Sequence, residues 1–211
     1  FLSNPWQTFF SEPLFPFQFN KVVDEMFAYG EKVMADRRRN PRKDLLSIIA
    51  QTKIENEFLS QEFLDGSWLL IIFAGNDTSR NSLSGTIRLM TEFPDQRAMV
   101  INDPTLVPRM SEEALRMVSP VMHMRRTALE DTELNGQRIA KDEKLVLWYG
   151  AANRDPDIFS EPDIFDIQRK NAEKHVAFGH GVHKCLGSRI AQMQLRLAFA
   201  QFGNLSTYVP R

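Results

Sequence analysis

The segment HVAFGHGVHKCLGSRIAQ, residues 175–192, contains the only cysteine of this 211-residue chain, Cys185. Glycine tolerates positive φ and lets another group approach the backbone closely, and three glycines lie near this cysteine in sequence: Gly179, Gly181 and Gly187. An amphipathic helix is predicted over residues 187–202, directly after the cysteine. The N–H groups and positive dipole end at its start would stabilise a thiolate. The segment therefore predicts a tight loop built around one functional thiol.

Three kinds of site use a single thiol in such a loop. A zinc site would combine Cys185 with His180 and His183, but this spacing lacks a fourth ligand. A cysteine nucleophile needs a positioned base, and His183 is poorly placed for that role only two residues away. A haem thiolate needs one unpaired cysteine, a loop that can approach the porphyrin and a cation for the propionates. All three of those features are present, so the residues favour a haem thiolate.

Composition places few other limits on the chain. It is 43% hydrophobic and 25% charged, as is ordinary for a globular domain with a sizeable core. The formal net charge of −1 predicts no bulk attraction to nucleic acid, and we expect no membrane segment because no apolar run is long enough. One cysteine excludes an internal disulfide framework. The chain begins at Phe1 rather than Met and ends just after a helix, so we expect it to be part of a longer protein.

The periodicity of apolar residues predicts a fold that is mainly α with a minor β part. Two extended segments are expected, with a turn at Asn135-Gly136 between them, and an irregular stretch is expected before the cysteine loop. The middle of the longest helix, WLLIIFAGNDTS, is apolar up to Asn76, so this helix should run buried through the centre of the molecule. The predicted helices span residues 20–39, 43–52, 60–93, 95–101, 106–118 and 187–202, the strands 122–129 and 144–150, and the irregular stretch 151–177.

Polar residues follow the apolar run of the longest helix. Gly75 costs about 1 kcal/mol relative to alanine inside a helix, and Thr78 can return its hydroxyl to a carbonyl one turn earlier. We expect the helix to open locally into a groove faced by Asp77 and Thr78. The alternative is a solvent-facing pair on a half-exposed helix, and periodicity does not choose between the two.

Three motifs, in this order, resemble those of the cytochromes P-450. AGNDTS is similar to the oxygen-activating helix motif of that family, EALR to its Glu-x-x-Arg, and FGHGVHKCLG to its haem-binding signature F-G-x-G-x-H/R-x-C-x-G. The segments ANRDP and PDIFDIQR lie between EALR and FGHGVHKCLG, where the family has its meander. The resemblance covers residues from about 43 to 205. It implies that residues 1–211 form a single partial domain of the cytochrome P-450 fold, with the N-terminal half and the C-terminal β hairpin absent.

The resemblance implies haem b as cofactor, with the Cys185 thiolate as axial ligand of the iron. Phe178 would pack beside the sulfur, and Gly187 would leave room for hydrogen bonds to it. Arg126 would bind a propionate, and His183 is the second candidate for that role. Ala74 and Gly75 would widen the long helix so that oxygen fits. The residues implied at the haem are Cys185, Arg126, His183, Ala74, Gly75, Phe178, Gly179 and Gly187.

Two pairs of residues have further implied roles. Thr78 would hold a water at the oxygen site, and Asp77 would relay protons to it. Glu113 and Arg116 lie one helical turn apart and can form an ion pair; they would be structural. Many relatives carry a further arginine where this chain has Ile164. Arg154 or Arg169 can substitute for it, and spacing does not choose between them.

The implied activity is a haem-dependent monooxygenase that inserts one oxygen atom of O2 into a C–H bond of an apolar substrate such as an alkane, a fatty acid, a terpenoid or a sterol side chain. The alternatives are an H2O2-dependent peroxygenase and a non-catalytic haem-binding or sensor domain. The resemblance to bacterial members implies a cytoplasmic location. The implied substrate-pocket residues are Leu70, Phe73, Ala74 and Met122. A ferredoxin or flavodoxin would donate electrons by docking at a basic patch formed by Lys174, Lys184 and Arg189. The alternative interpretation is that these residues are simply a solvated surface.

Overall fold

The computed structural model describes residues 15–202 of the chain. This part is mainly helical with short antiparallel β-sheets, which confirms the predicted fold class. Turns of 3-10 helix occur at Pro104–Leu106, Ala172–Lys174 and Gly181–His183. The α-helices are α1 (Phe15–Arg39), α2 (Leu45–Gln51), α3 (Gln61–Glu92), α4 (Pro94–Asn102), α5 (Val107–Val118), α6 (Tyr149–Ala152) and α7 (Ser188–Phe202).

The strands of the described residues pair as three antiparallel two-stranded sheets. The Asn135-Gly136 turn joins β4 to β5, and both of its residues have positive φ, 49° and 78°, as a two-residue hairpin turn requires. The hairpin of β1 and β2 and the strands β4 and β5 were not predicted, because two or three residues are too short to show alternation. The strands are β1 (Lys53–Ile54) with β2 (Glu57–Phe58), β3 (His123–Thr127) with β6 (Lys144–Trp148), and β4 (Thr132–Leu134) with β5 (Gln137–Ile139).

The predicted helices are confirmed, with small changes at their ends. The largest change is in α1, which begins at Phe15 rather than at residue 20. The prediction that α3 is buried along its whole length is wrong for the middle of the helix. There Leu70 is 67% exposed and Phe73 is 61% exposed. An apolar segment is buried only where other elements cover it. The described residues cover α3 near its ends, at Leu64 and Leu89.

The chain divides into two compact units, residues 1–74 and 75–211. The described part of the first unit has its core between α1, α2 and the start of α3, formed by Met34, Ala50, Leu64 and Trp68. The Trp68 indole donates a hydrogen bond to the Met26 carbonyl at 3.1 Å.

The second unit has its core around α5, whose inner face packs against the end of α3 and against α7. Met110, Leu115 and Phe199 are almost fully buried there, and so is Phe165 from the irregular stretch before the cysteine loop. Because α5 and α7 share this core, the helix that follows the cysteine is held in a defined position.

Two helical glycines of the first unit give a matched pair of substitutions. A Cβ on Gly30 would lie 2.5 Å from the Trp68 ring, whereas a Cβ on Gly66 would meet nothing within 4 Å. We expect Gly30→Ala to lower the free energy of unfolding by about 1–3 kcal/mol through overpacking. Gly66→Ala should raise it by up to about 1 kcal/mol, through helix propensity alone. Urea denaturation of both variants measures the difference, and equal effects would contradict the packing at Trp68.

Candidate functional site

The cysteine loop, residues 178–187, folds back on itself through backbone hydrogen bonds. The Cys185 N–H donates to the Phe178 carbonyl at 2.8 Å, which closes the loop. Gly179 and Gly181 have φ of 68° and 71°, a region that favours glycine. A Cβ on Gly179 would also lie 3.4 Å from the Tyr149 hydroxyl, so α6 backs the loop closely. These contacts place Cys185 just before the first turn of α7.

The thiol of Cys185 is exposed, and apolar side chains flank it. Val182 is 96% and Leu186 84% exposed. Within the described residues, the N–H groups of Leu186 and Gly187 have no backbone acceptor, and both precede α7. A Cβ on Gly187 would lie 3.9 Å from Sγ. The loop thus presents sulfur, adjacent N–H donors and an apolar rim, which together suit a thiolate under a large apolar ligand.

The zinc alternative finds no support in the geometry. Among residues 15–202, no group of three or more His, Cys, Asp or Glu side chains is arranged to hold a metal ion. His180 and His183 are exposed, like Cys185, but they do not gather around its sulfur as a ligand set.

A buried carboxylate organises the irregular stretch that precedes the loop. Glu113 and Arg116, both fully buried, form a two-pronged ion pair with N–O distances of 2.8 Å. The Arg169 guanidinium also binds Glu113, with Nε 3.0 and 3.1 Å from the two carboxylate oxygens. Arg169 is therefore the third member of this network, a choice that spacing alone left open. Arg154 instead pairs with the exposed Asp163 at 3.2 Å.

The backbone of Ile164 also takes part in this network. Its carbonyl accepts hydrogen bonds from Arg116 at 3.2 Å and from Arg169 at 3.1 Å. A carbonyl is a suitable partner for these guanidinium N–H groups because it adds no charge to the buried site. The side chain of Ile164 is left half exposed.

Asn153 connects this network to the cysteine loop, and sequence analysis did not assign it a role. Its carbonyl accepts from Arg116 at 2.7 Å, and its side-chain amide donates to the Ser119 hydroxyl at 2.7 Å. Its side-chain oxygen accepts from the Val176 N–H, also at 2.7 Å. The residue lies in the ANRDP motif, which was the available signal. Because Asn153 is fully buried with its polar atoms bonded, it fixes the segment that leads into the loop.

Asp77 of α3 contacts other side chains of the same helix. α3 is one α-helix from Gln61 to Glu92, without the local opening expected at Gly75. One glycine costs about 1 kcal/mol, which packing of the helix on both sides of it offsets. Asp77 binds Arg80 at 3.3 Å and Asn81 at 3.0 Å on the same helix, and its side chain is exposed. For Asp77 the solvent-facing alternative therefore describes the observed contacts.

The remaining predicted site residues fall on both units. Leu70, Phe73 and Ala74 are exposed residues of α3 in the first unit. Met122 is exposed in the second unit, next to β3. Arg126 is half buried on β3 and donates to the Arg125 carbonyl at 3.0 Å.

An open groove of about 620 Å³ lies beside the cysteine loop along α7. Lys184 and Arg189, two of the three basic residues of the predicted patch, line it, and both are exposed. The third, Lys174, is exposed in the preceding 3-10 turn. The groove is lined by Phe178, Lys184, Ser188, Arg189, Gln192, Met193, Arg196 and Leu197.

The family model described as Cytochrome P450 matches residues 100–202, which include the Glu113 network and the cysteine loop. The chain belongs to the cytochrome P450 family. Proteins of this family hold haem through a cysteine thiolate. The expectation drawn from the three sequence motifs is thus confirmed at the level of family and fold.

Relatives of this P450 chain come from bacteria. Linalool 8-monooxygenase of Pseudomonas putida is 42% identical over 191 residues, which cover 90% of this chain and 46% of that protein. Steroid C26-monooxygenase of Mycobacterium tuberculosis is 37% identical over 193 residues, 90% of this chain and 48% of that protein. The structure of cytochrome P450-153 from Novosphingobium aromaticivorans matches with a TM-score of 0.83 and 38% identity, over 93% of this chain and 48% of that one.

The P450 chain spans about half the length of the curated relatives it matches. Over residues 15–202, none of the helices combines the length and the apolar character that crossing a bilayer requires.

The Glu113 network predicts different costs for the two arginines that sequence could not separate. Arg169→Ala removes one of two cations from a buried carboxylate, so we expect it to lower the free energy of unfolding by about 3 kcal/mol or more. Arg154→Ala is the matched control and should cost about 1 kcal/mol, because its carboxylate partner is exposed. Chemical denaturation of both variants provides the comparison. The assignment of Arg169 is wrong if the Arg154 variant is the less stable of the two.

Proposed function

We propose that the protein to which this chain belongs is a haem-dependent monooxygenase that inserts one oxygen atom of O2 into a C–H bond of an apolar substrate. The observation that carries the proposal is the single exposed thiol of Cys185, held in a glycine loop at the start of α7 in a P450 chain. When bound, haem b would supply the activation of dioxygen, and a thiolate ligand such as Cys185 would favour cleavage of the O–O bond.

The residues around Cys185 fit a haem ligand in chemistry and in access. The N–H groups of Leu186 and Gly187 can donate to the thiolate, and the start of α7 adds the positive end of its dipole. The glycine at 187 keeps a side chain away from Sγ, which leaves those donors accessible. Phe178, at the start of the loop, packs against the core of the second unit. In this assignment Cys185 would hold the haem iron through its thiolate.

Cationic and donor groups are available for the haem carboxylates. Arg126 on β3 is the first candidate and the exposed His183 the second. A guanidinium can bind a carboxylate through two parallel hydrogen bonds, which a neutral imidazole cannot do. Gly179 has no side chain to contact haem. Its proposed role is to let the loop lie close to Tyr149 of α6. Ala74 and Gly75, two adjacent small residues of α3, would leave room for oxygen at the proposed site.

Thr78 and Asp77 are the proposed proton-handling residues on α3. A hydroxyl at Thr78 can hold a water and pass its proton on, and the Asp77 carboxylate can resupply that proton from solvent because it is exposed. Asp77 must exchange its contact with Arg80 for the water to do so, and an exposed pair of this kind is weak enough to open. Correct proton delivery favours O–O cleavage over the release of hydrogen peroxide.

An apolar substrate is supported by the surface of α3 and by the names of relatives. Leu70 and Phe73 present large apolar side chains that the described residues leave exposed, and Ala74 follows them. Met122 is a further proposed pocket residue. Relatives are named as a linalool 8-monooxygenase, a methyl-branched lipid omega-hydroxylase and a steroid C26-monooxygenase. We infer a terpenoid, lipid-chain or sterol side-chain substrate for this protein.

The proposed electron donor is a ferredoxin or flavodoxin with an acidic surface. Lys184 and Arg189 line the groove beside the cysteine loop, and Lys174 is exposed before it. A cluster of cations at the loop would steer an acidic partner toward the thiolate side and position it for electron transfer.

Removal of the thiol tests the ligand directly. In the haem-loaded enzyme, Cys185→Ser should abolish the strongly red-shifted absorption band of the reduced carbon-monoxide complex, because that band requires a sulfur ligand. His180→Ala is the matched control and should keep the band, since His180 has no role in the proposed site. Persistence of the band in the serine variant would disprove Cys185 as the ligand. Its loss in the alanine variant would point to a His–Cys site instead.

Loss of the Thr78 hydroxyl tests the proton relay. In Thr78→Ala, oxygen consumption should continue while product per NAD(P)H falls about tenfold or more and hydrogen peroxide rises, because proton delivery by a positioned group is lost. Thr91→Ala removes a hydroxyl farther along α3, one that bonds only to the Ile87 carbonyl, and should leave coupling unchanged. Equal product yields in the two variants would remove Thr78 from the relay.

A further inference from the structure

We infer that Glu112 is a positioning residue: its carboxylate holds together the segment that enters the cysteine loop and the helix that leaves it. The inference rests on the proposed function, because it concerns the placement of Cys185 as haem ligand. Glu112 lies directly before Glu113 of the buried network, and neither the motifs nor the periodicity distinguished it.

One carboxylate contacts both flanks of the loop. On the entering side, Oε2 of Glu112 lies 3.3 Å from Nε2 of His175. On the leaving side, Oε1 accepts hydrogen bonds from Gln192 and Arg196 of α7, each at 3.0 Å. The side chain of Glu112 is 16% exposed and that of His175 4%, so water competes little for the bond between them.

Backbone geometry fixes how the imidazole of His175 takes part. The Ala177 N–H can only donate, and it lies 3.1 Å from Nδ1 of His175. Nδ1 is therefore the acceptor, and Nε2 carries the hydrogen that points at Glu112. The same ring packs against Phe178 with 5.7 Å between ring centroids. Phe178 in turn accepts the N–H of Cys185 at 2.8 Å. Contacts thus run without a gap from Glu112 to the backbone of Cys185.

The charge state of Glu112 suits this role. Burial raises the pKa of its carboxyl, but the hydrogen bonds from His175, Arg196 and Gln192 outweigh burial and hold that pKa below its ordinary value. The group is then an ionised acceptor at neutral pH, and hydrogen bonds to a charged acceptor are the stronger kind. The charged and titratable groups bonded to it are His175 and Arg196.

The adjacent residues Glu112 and Glu113 of α5 bind different segments of the chain. Glu113 faces the irregular stretch and binds Arg116 and Arg169. Glu112 faces α7 and the entry to the loop. Without Glu112, the two ends of the loop would still belong to the same core but would lose the bond that sets their separation. The sulfur would then sample positions in which it ligates poorly.

Three variants of the haem-loaded enzyme test this role: Glu112→Gln, His175→Phe and the double variant. His175→Phe keeps a ring against Phe178 and removes both ring hydrogen bonds. We expect each single variant to speed the loss of the thiolate band of the reduced carbon-monoxide complex about tenfold, as the loss of a hydrogen bond to a charged group would. The double variant should be no faster than the faster single one, because both remove one shared interaction.

Glu92→Gln is the matched control, an exposed α3 carboxylate paired with Arg88, and should behave like the unaltered protein. Far-ultraviolet circular dichroism is recorded in the same samples. If the band and the helical signal disappear together, Glu112 is merely structural and the inference is overturned. Additive effects in the double variant, or rates equal to that of the control, would also overturn it.

Amide hydrogen exchange gives a readout that needs no haem. Exchange over residues 176–187 should be faster in Glu112→Gln and His175→Phe than in Glu92→Gln, because the loop opens more often. Unchanged exchange would overturn the role of Glu112 and leave the proposed function intact. An unaltered protein that loads haem but never shows the thiolate band would instead overturn the proposed function, even if exchange responded as expected.

Discussion

Burial of the Glu113 carboxylate is the constraint on which the second unit depends. Burial of an ionised carboxylate is costly unless cations or hydrogen-bond donors replace its water. For Glu113 the guanidinium groups of Arg116 and Arg169 do so. These guanidiniums have further N–H groups to satisfy, and they bind carbonyls along a stretch with little regular structure: those of Asn153, Ser160, Glu161, Pro162 and Ile164. One buried charge therefore gives a defined path to the segment that carries the chain to the cysteine loop.

The contacts that hold the cysteine loop in place lie mostly outside it. Its own contribution is two residues with positive φ, Gly179 and Gly181, and the bond from the Cys185 N–H to Phe178. Asn153 and Glu112 hold the entering segment, and α7 holds the leaving one through the shared core. A thiolate that must keep one orientation toward a ligand needs such support, since a loop by itself samples many conformations.

The exposed apolar middle of α3 and the exposed apolar residues beside the thiol have one physical meaning. Leu70, Phe73, Val182 and Leu186 are all more than half exposed in the described part of the chain. Contiguous apolar surface is costly in water and is typical of binding sites, whereas single exposed apolar residues are common on protein surfaces. An apolar substrate and a porphyrin are the ligands that the proposed function places at these residues.

Sequence alone predicted the helices, the tight cysteine loop and the family to which the chain belongs. Helix periodicity predicted α3, α5 and α7 nearly to their ends, and the residue types around Cys185 indicated a haem thiolate before any contact was known. It did not determine that Arg169 rather than Arg154 completes the Glu113 network, that Asn153 and Glu112 hold the loop, or that the middle of α3 is exposed. Those outcomes depend on which distant segments meet, over separations of up to 84 residues in the case of Glu112 and Arg196. Local patterns carry no information about such meetings, because burial and hydrogen-bond partners are decided by packing in three dimensions.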